Sequence, residues 1–213
     1  GVEVRYSWAY QLLGYMERND LVDATYELNA TGAAKVADNT AVQIAAFQCP
    51  SDTNNFRQNA GMSYAANVGY GVVIEVSGYS HNGSYIDWDG DGTKDVPGTS
   101  TDSDDVEIAR DAGVFLRNRG DNFKMTLDRI SGRDGLSQTI LVYGVREQLG
   151  SWASGGTATL RELTREPYIN GPDGLGTGQP DSMLVLMADG HVAQISSQID
   201  PELLRHLATI QDG

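Results

Sequence analysis

Cysteine is almost missing from this sequence. Cys49 is the only one, so no internal disulfide can form and the fold cannot rest on oxidative cross-links. A reactive thiol is not indicated: Cys49 stands beside Pro50, and His81, His191 and His206, the only histidines, are all distant in sequence. The reading is a buried structural thiol. Basic residues are also scarce. Fifteen Lys and Arg face 29 Asp and Glu, a formal net charge of −14, so a polyanionic partner is repelled and nucleic acid is excluded. No run approaches the roughly 18 apolar residues of a membrane helix, so no membrane contact by this fragment is expected. The sequence also lacks a Gly-x-Ser-x-Gly elbow, a phosphate loop, His-Glu-x-x-His and Cys-x-x-Cys. These absences point to a non-enzymatic protein, and a carboxylate hydrolase is improbable. The chain begins with Gly1 rather than Met, which suggests a piece processed or cut from something longer, so an absent targeting segment does not imply the cytoplasm.

With 213 residues, 40% hydrophobic and 21% charged, the chain has the makings of one globular core. A single domain over residues 1–213 is expected. The most apolar stretch is Met183-Leu-Val-Leu-Met-Ala-Asp-Gly-His-Val-Ala-Gln-Ile195. Read as a hairpin with Asp189-Gly190 in a two-residue turn, it pairs Leu186 with Ala193 and Leu184 with Ile195. Leu184, Leu186, Ala193 and Ile195 then share one face, and Met183, Val185 and Met187 make the other face apolar as well. The first strand is therefore expected to lie inside a sheet and be covered on both sides.

The rest of the chain is less apolar. Ser7 to Tyr26 reads as one or two short helices, with Trp8, Leu12, Tyr15 and Met16 as a core-facing stripe and a break at Asn19-Asp20. Residues 29–40 read as a loop, and Ala41 to Phe47 as a short helix stopped by Pro50. Extended segments are expected over 61–69 and 72–76, and strands over Gly113 to Leu116, Phe123 to Ile130 and Thr139 to Val145. Residues 151–157 and 171–180 read as Gly-rich loops. Asp200 as N-cap with Pro201 in the first turn predicts a closing helix.

The segment from Asp87 to Asp111 differs in kind. Nine acids against Lys94 and Arg110 give it half of the net charge, which marks an exposed acidic excursion within residues 71–112. Inside it, Asp87-Trp-Asp-Gly-Asp-Gly-Thr-Lys-Asp95 has carboxylates at loop positions 1, 3, 5 and 9, glycine at 6 and the Thr93 carbonyl at 7. Carboxylates crowded this closely repel one another unless a hard cation takes their oxygens. Asp87, Asp89, Asp91, Thr93 and Asp95 are therefore the candidate ligands of a structural Ca²⁺. Position 12 is Gly98 instead of the usual Glu, so Asp102, Asp104 or Asp105 would have to complete the shell. An alternative use of this region is as a secreted carbohydrate- or protein-binding surface built on Tyr79, Tyr85 and Trp88.

Five landmarks occur in an order that resembles a bacterial prepilin-like family of unknown function, related to type IV pilins and type II secretion pseudopilins. They are Ser7-Trp8 with Leu12-Leu-Gly-Tyr-Met-Glu17, then Cys49-Pro-Ser-Asp52, Ser63-Tyr-Ala-Ala-Asn-Val-Gly69, Asp134-Gly-Leu-Ser-Gln-Thr-Ile140, and Asp189-Gly190 preceded by Gln179. Gln179 stands where the family has a histidine, so a hydrogen-bonding structural role is expected there. The resemblance implies an α+β fold, a pilin-like antiparallel sheet with short flanking helices and long loops. It also implies an extracytoplasmic head, membrane-anchored in the full-length protein by an apolar N-terminal helix. Partners would be further copies or other pilin-like subunits, met through that helix.

Overall fold

The computed structural model describes residues 7–26, 42–50, 61–70, 113–115, 125–153 and 159–210. Its centre is a five-stranded sheet in the order β3-β1-β2-β4-β5, with β1 Tyr64–Tyr70, β2 Ile140–Gly144, β3 Leu160–Leu163, β4 Ser182–Met187 and β5 Val192–Ser196. The fold class is α+β, as expected, but the sheet is mixed rather than antiparallel: β1 pairs antiparallel with β2 and parallel with β3. Leu-Arg-Glu-Leu of β3 carries no apolar alternation that would announce a strand, and it lies at the sheet edge.

The most apolar run does form an interior strand, with β2 on one side and β5 on the other. Its hairpin is one residue out of the expected register. Val185 faces Ala193, Met183 faces Ile195 and Leu186 faces Val192, because the loop holds three residues, Ala188 to Gly190. The Gly190 amide bonds to the Met187 carbonyl and Gly190 takes φ +92°, the turn-plus-bulge form that wants glycine at its last position. A one-residue slip exchanges the faces. Met183, Val185, Met187 and Ile195 go into the core with Tyr143, Leu163 and Leu175, whereas Leu184 is 40% exposed and Val192 65% exposed.

Leu204 and Ala208 of α3 (Pro201–Ala208) join that core from one face of the sheet. Asp200 caps α3 as expected, accepting from the Glu202 and Leu203 amides. At the other end of the chain, a 3-10 helix (Trp8–Met16) precedes α1 (Asn19–Tyr26), and the break falls at Glu17, whose φ is +58°. With three residues per turn, Tyr10, Leu13 and Met16 align. The expected stripe is accordingly wrong at Leu12, which is 37% exposed, and at Tyr15, which is 90% exposed. Ala9 and Leu13 pack instead with Phe47, Met62 and Trp152 in a second cluster.

Two further expectations fail. Phe123 to Ile130 is not a strand in its described part, because Thr126 accepts from the Arg129 amide and starts helix α2 (Leu127–Ser131). Residues 113–115 form a turn instead of a strand, held to the β1 bulge by bonds from Gly113 to Val68 and from Phe115 to Asn67. Ala41 to Phe47 shortens to a 3-10 turn over Ala45–Phe47. Cys49 is free but only half-buried. Residues 71–112 and 29–40 lie outside the described residues.

Candidate functional site

Three polar groupings stand out among the described residues, and the first is built around Asn67. Its side chain is fully buried and makes four hydrogen bonds. The amide nitrogen donates to the Ile140 carbonyl at 2.7 Å and to the Ala208 carbonyl at 2.7 Å. The amide oxygen accepts from the Gly69 N–H at 2.9 Å and from the Tyr143 hydroxyl at 2.8 Å. Every donor and acceptor site of the amide is thus used. The bond to Gly69 spans the bulge in β1, where Gly69 has φ +111°. One side chain therefore fixes the kink in β1, its neighbour β2 and the C-terminal end of α3. Burial raises the Tyr143 hydroxyl well above its ordinary value, with the charge of Asp173 adding to the effect, so it remains a donor.

The second grouping is charged. Loop residue Asp173 is buried and accepts from the Thr164 amide at 2.7 Å, the Arg165 amide at 3.1 Å and the Thr164 hydroxyl. This bolts the loop to the end of β3. Arg161 is buried too; its guanidinium donates to the Leu160, Glu147 and Gln148 carbonyls, and its Nε has no partner. Burial lowers Arg161 to about 10, opposed by the nearby Asp173 charge, and leaves it cationic at neutral pH. Glu162, half-buried in the same strand, is pushed up to about 7 by burial and then by Asp173. No sequence pattern marks this grouping, since a loop and a polar edge strand supply its members from separate places.

The third is an open cleft of about 500 Å³ lined by Gln179, Pro180, Asp181, Ser182, Gln194 and Ser196. The Gln179 Oε1 accepts from the Ser182 hydroxyl at 3.2 Å and from Gln194 Nε2 at 3.4 Å, and Gln194 also donates to Ser182 at 2.8 Å. The hydrogen-bonding role expected for Gln179 is the one observed. A chain of amides and hydroxyls can orient a polar neutral group, but it offers no activated nucleophile. His191 Nδ1 lies 2.6 Å from Asp189 Oδ1 on the hairpin loop, an arrangement that can orient a base. Among the described residues no hydroxyl or thiol is bonded to that histidine.

The candidate calcium ligands Asp87, Asp89, Asp91, Thr93 and Asp95 lie outside the described residues. Among the described residues, no group of three or more His, Cys, Asp or Glu is placed to hold a metal ion, and no helix is long and apolar enough to cross a membrane.

Comparison with known proteins places these observations. A family model described as "Protein of unknown function (DUF1559)" matches residues 1–159. The matched range takes in four of the five landmark motifs and ends before Gln179 and the hairpin. No curated protein and no solved structure is significantly similar to the chain.

Proposed function

Because the chain belongs to the DUF1559 family, we propose that it acts without turning over a substrate, as the displayed head of a pilin-like subunit. In this reading it is extracytoplasmic and tethered by an apolar helix encoded upstream of Gly1. It meets further copies or other pilin-like subunits through that helix. The acidic segment is held by Ca²⁺ on Asp87, Asp89, Asp91 and Asp95 and the Thr93 carbonyl, and the ion supplies rigidity by neutralising carboxylates that otherwise repel.

The observation that carries the reading is what the landmark residues do. The Ser7 hydroxyl donates to the Trp152 carbonyl, and the Trp8 indole donates to the Thr159 carbonyl at 2.8 Å. Asn67 joins two strands to α3, Gly69 supplies the bulge, and Thr139 returns its hydroxyl to the Gly135 carbonyl at 3.0 Å. Landmark residues within the stretch that the family model matches serve architecture here, which supports a scaffold over a catalyst.

Two measurements test the proposal. The coding sequence upstream of Gly1 should specify a basic leader and some twenty apolar residues; an ordinary cleavable signal peptide or a cytosolic start rejects the tether. For the ion, Ca²⁺ at about 100 times its dissociation constant should raise the melting temperature by about 5–10 °C over EDTA. Asp89→Ala combined with Asp91→Ala should abolish that rise, and an unchanged wild-type transition removes calcium from the account.

A further inference from the structure

We propose that the free edge of β5 is a self-association surface, on which a second copy of this chain adds its own β5 in antiparallel pairing. The bonds from the Met187 amide to the His191 carbonyl and from the Ser197 amide to the Asp181 carbonyl, together with the register of the hairpin, fix which residues of β5 bond inward. In an antiparallel ladder the residues between them point their N–H and C=O the other way. Val192, Gln194 and Ser196 therefore present three donors outward, and Val192 and Gln194 two free acceptors, since the Ser196 carbonyl already accepts from the Ile199 amide; among the described residues no strand pairs with them.

This edge lacks the usual protections of Lys, Pro or an inward-pointing charge. Residues 192–199 read Val-Ala-Gln-Ile-Ser-Ser-Gln-Ile, eight positions without a charged side chain in a chain of net charge −14. Two copies with that charge repel over most of their surfaces and least along a neutral strip, so this is where a second copy meets the smallest charge penalty. The strip is also self-complementary. With Gln194 on the two-fold axis, Gln194 faces Gln194 of the second copy, and Val192 faces Ser196 of the second copy in both directions. The three pairs supply about four backbone hydrogen bonds, two between the Gln194 residues and one from each Ser196 amide to a Val192 carbonyl. Val192, 65% exposed, and Leu184, 40% exposed, flank the edge on the outer face and lose water on pairing. The Gln194 amide is already held by Ser182 and Gln179, so little ordering of that side chain is needed.

One strand buries less than a standard interface, so the association is weak and is to be sought at high concentration. Sedimentation equilibrium up to about 1 mM protein should detect a monomer–dimer equilibrium that tightens as salt screens the net charge. Amide exchange at Gln194 and Ser196 should slow with concentration. Gln194→Pro removes one outward N–H per copy without touching the inner ladder and should weaken the dimer roughly 30-fold. Gln194→Lys, a surface change that leaves the fold intact, sets like charges face to face and should weaken it roughly fivefold. A monomer throughout that range, a dimer indifferent to both substitutions, or protection that appears elsewhere and not on β5 overturns the proposal.

Discussion

The Asn67 junction and the Asp173–Arg161–Glu162 grouping are both polar and both packed against the sheet, yet they are built on opposite terms. Asn67 is neutral and every hydrogen-bonding site on its amide is used. In the charged grouping, Arg161 Nε is left without a partner and Glu162 is held up at about 7. A saturated neutral network fixes one geometry whatever the pH, whereas half-buried charges tie the stability of the sheet edge to the solvent. The family-like motif contains the neutral junction, and the charged grouping sits where β3 meets the 170–181 loop.

Asn67 separates the two groupings most sharply. Asn67→Ala leaves two carbonyls, one N–H and the Tyr143 hydroxyl unsatisfied in the core and should cost about 3–5 kcal/mol in equilibrium denaturation. A cost below 1 kcal/mol would mean that water enters and the junction is not a keystone. Asp173→Ala should cost less, about 2 kcal/mol, because Thr164 and Arg165 are exposed and water can take over part of their bonding. The same substitution removes a negative neighbour, so the titration midpoint of Glu162, followed by carboxyl NMR, should fall.

The smallest effect is the most diagnostic of the charged side. Glu162 is raised from 4.5 to about 7 in the folded chain, so the folded state holds a proton that the unfolded state has already lost. Its favourable contribution is complete below about pH 4.5 and declines as pH rises through about 7. Solvent screening limits the size of the effect, and the melting temperature should fall by a few degrees between pH 5 and pH 8. Glu162→Gln should flatten this component of the pH profile and leave the cost of Asn67→Ala unchanged. A wild-type slope retained in Glu162→Gln assigns the dependence to another group.

How much was legible in the sequence follows the same division. The hairpin, β2 and the Asp200 cap were readable because each rests on a local pattern: an apolar run, a β-prone segment, and a capping residue before proline. The hairpin register was not, since Asp-Gly suits both a two-residue turn and the three-residue loop seen, and only packing chooses between them. Thr126 shows the same limit, as Met125-Thr-Leu-Asp128 alternates like a strand but the segment is turned into a helix by one cap. β3 escaped notice because Arg161 and Glu162 occupy it, and burying them depends on carbonyls and an aspartate from distant parts of the chain. Asn67 was visible as a motif member, but its four partners were not. The candidate calcium loop at 87–95, the clearest local pattern of all, lies outside the described residues.

Landmark residues such as Asn67 act as architecture through bonds they share with the rest of the fold. A double-mutant cycle of Asn67→Ala and Tyr143→Phe, read by equilibrium denaturation, tests this role most directly. A coupling of about 1–2 kcal/mol is expected, because deleting one partner orphans the other in the core. Additivity within about 0.5 kcal/mol would show that the two residues do not share a buried bond, and would contradict that role.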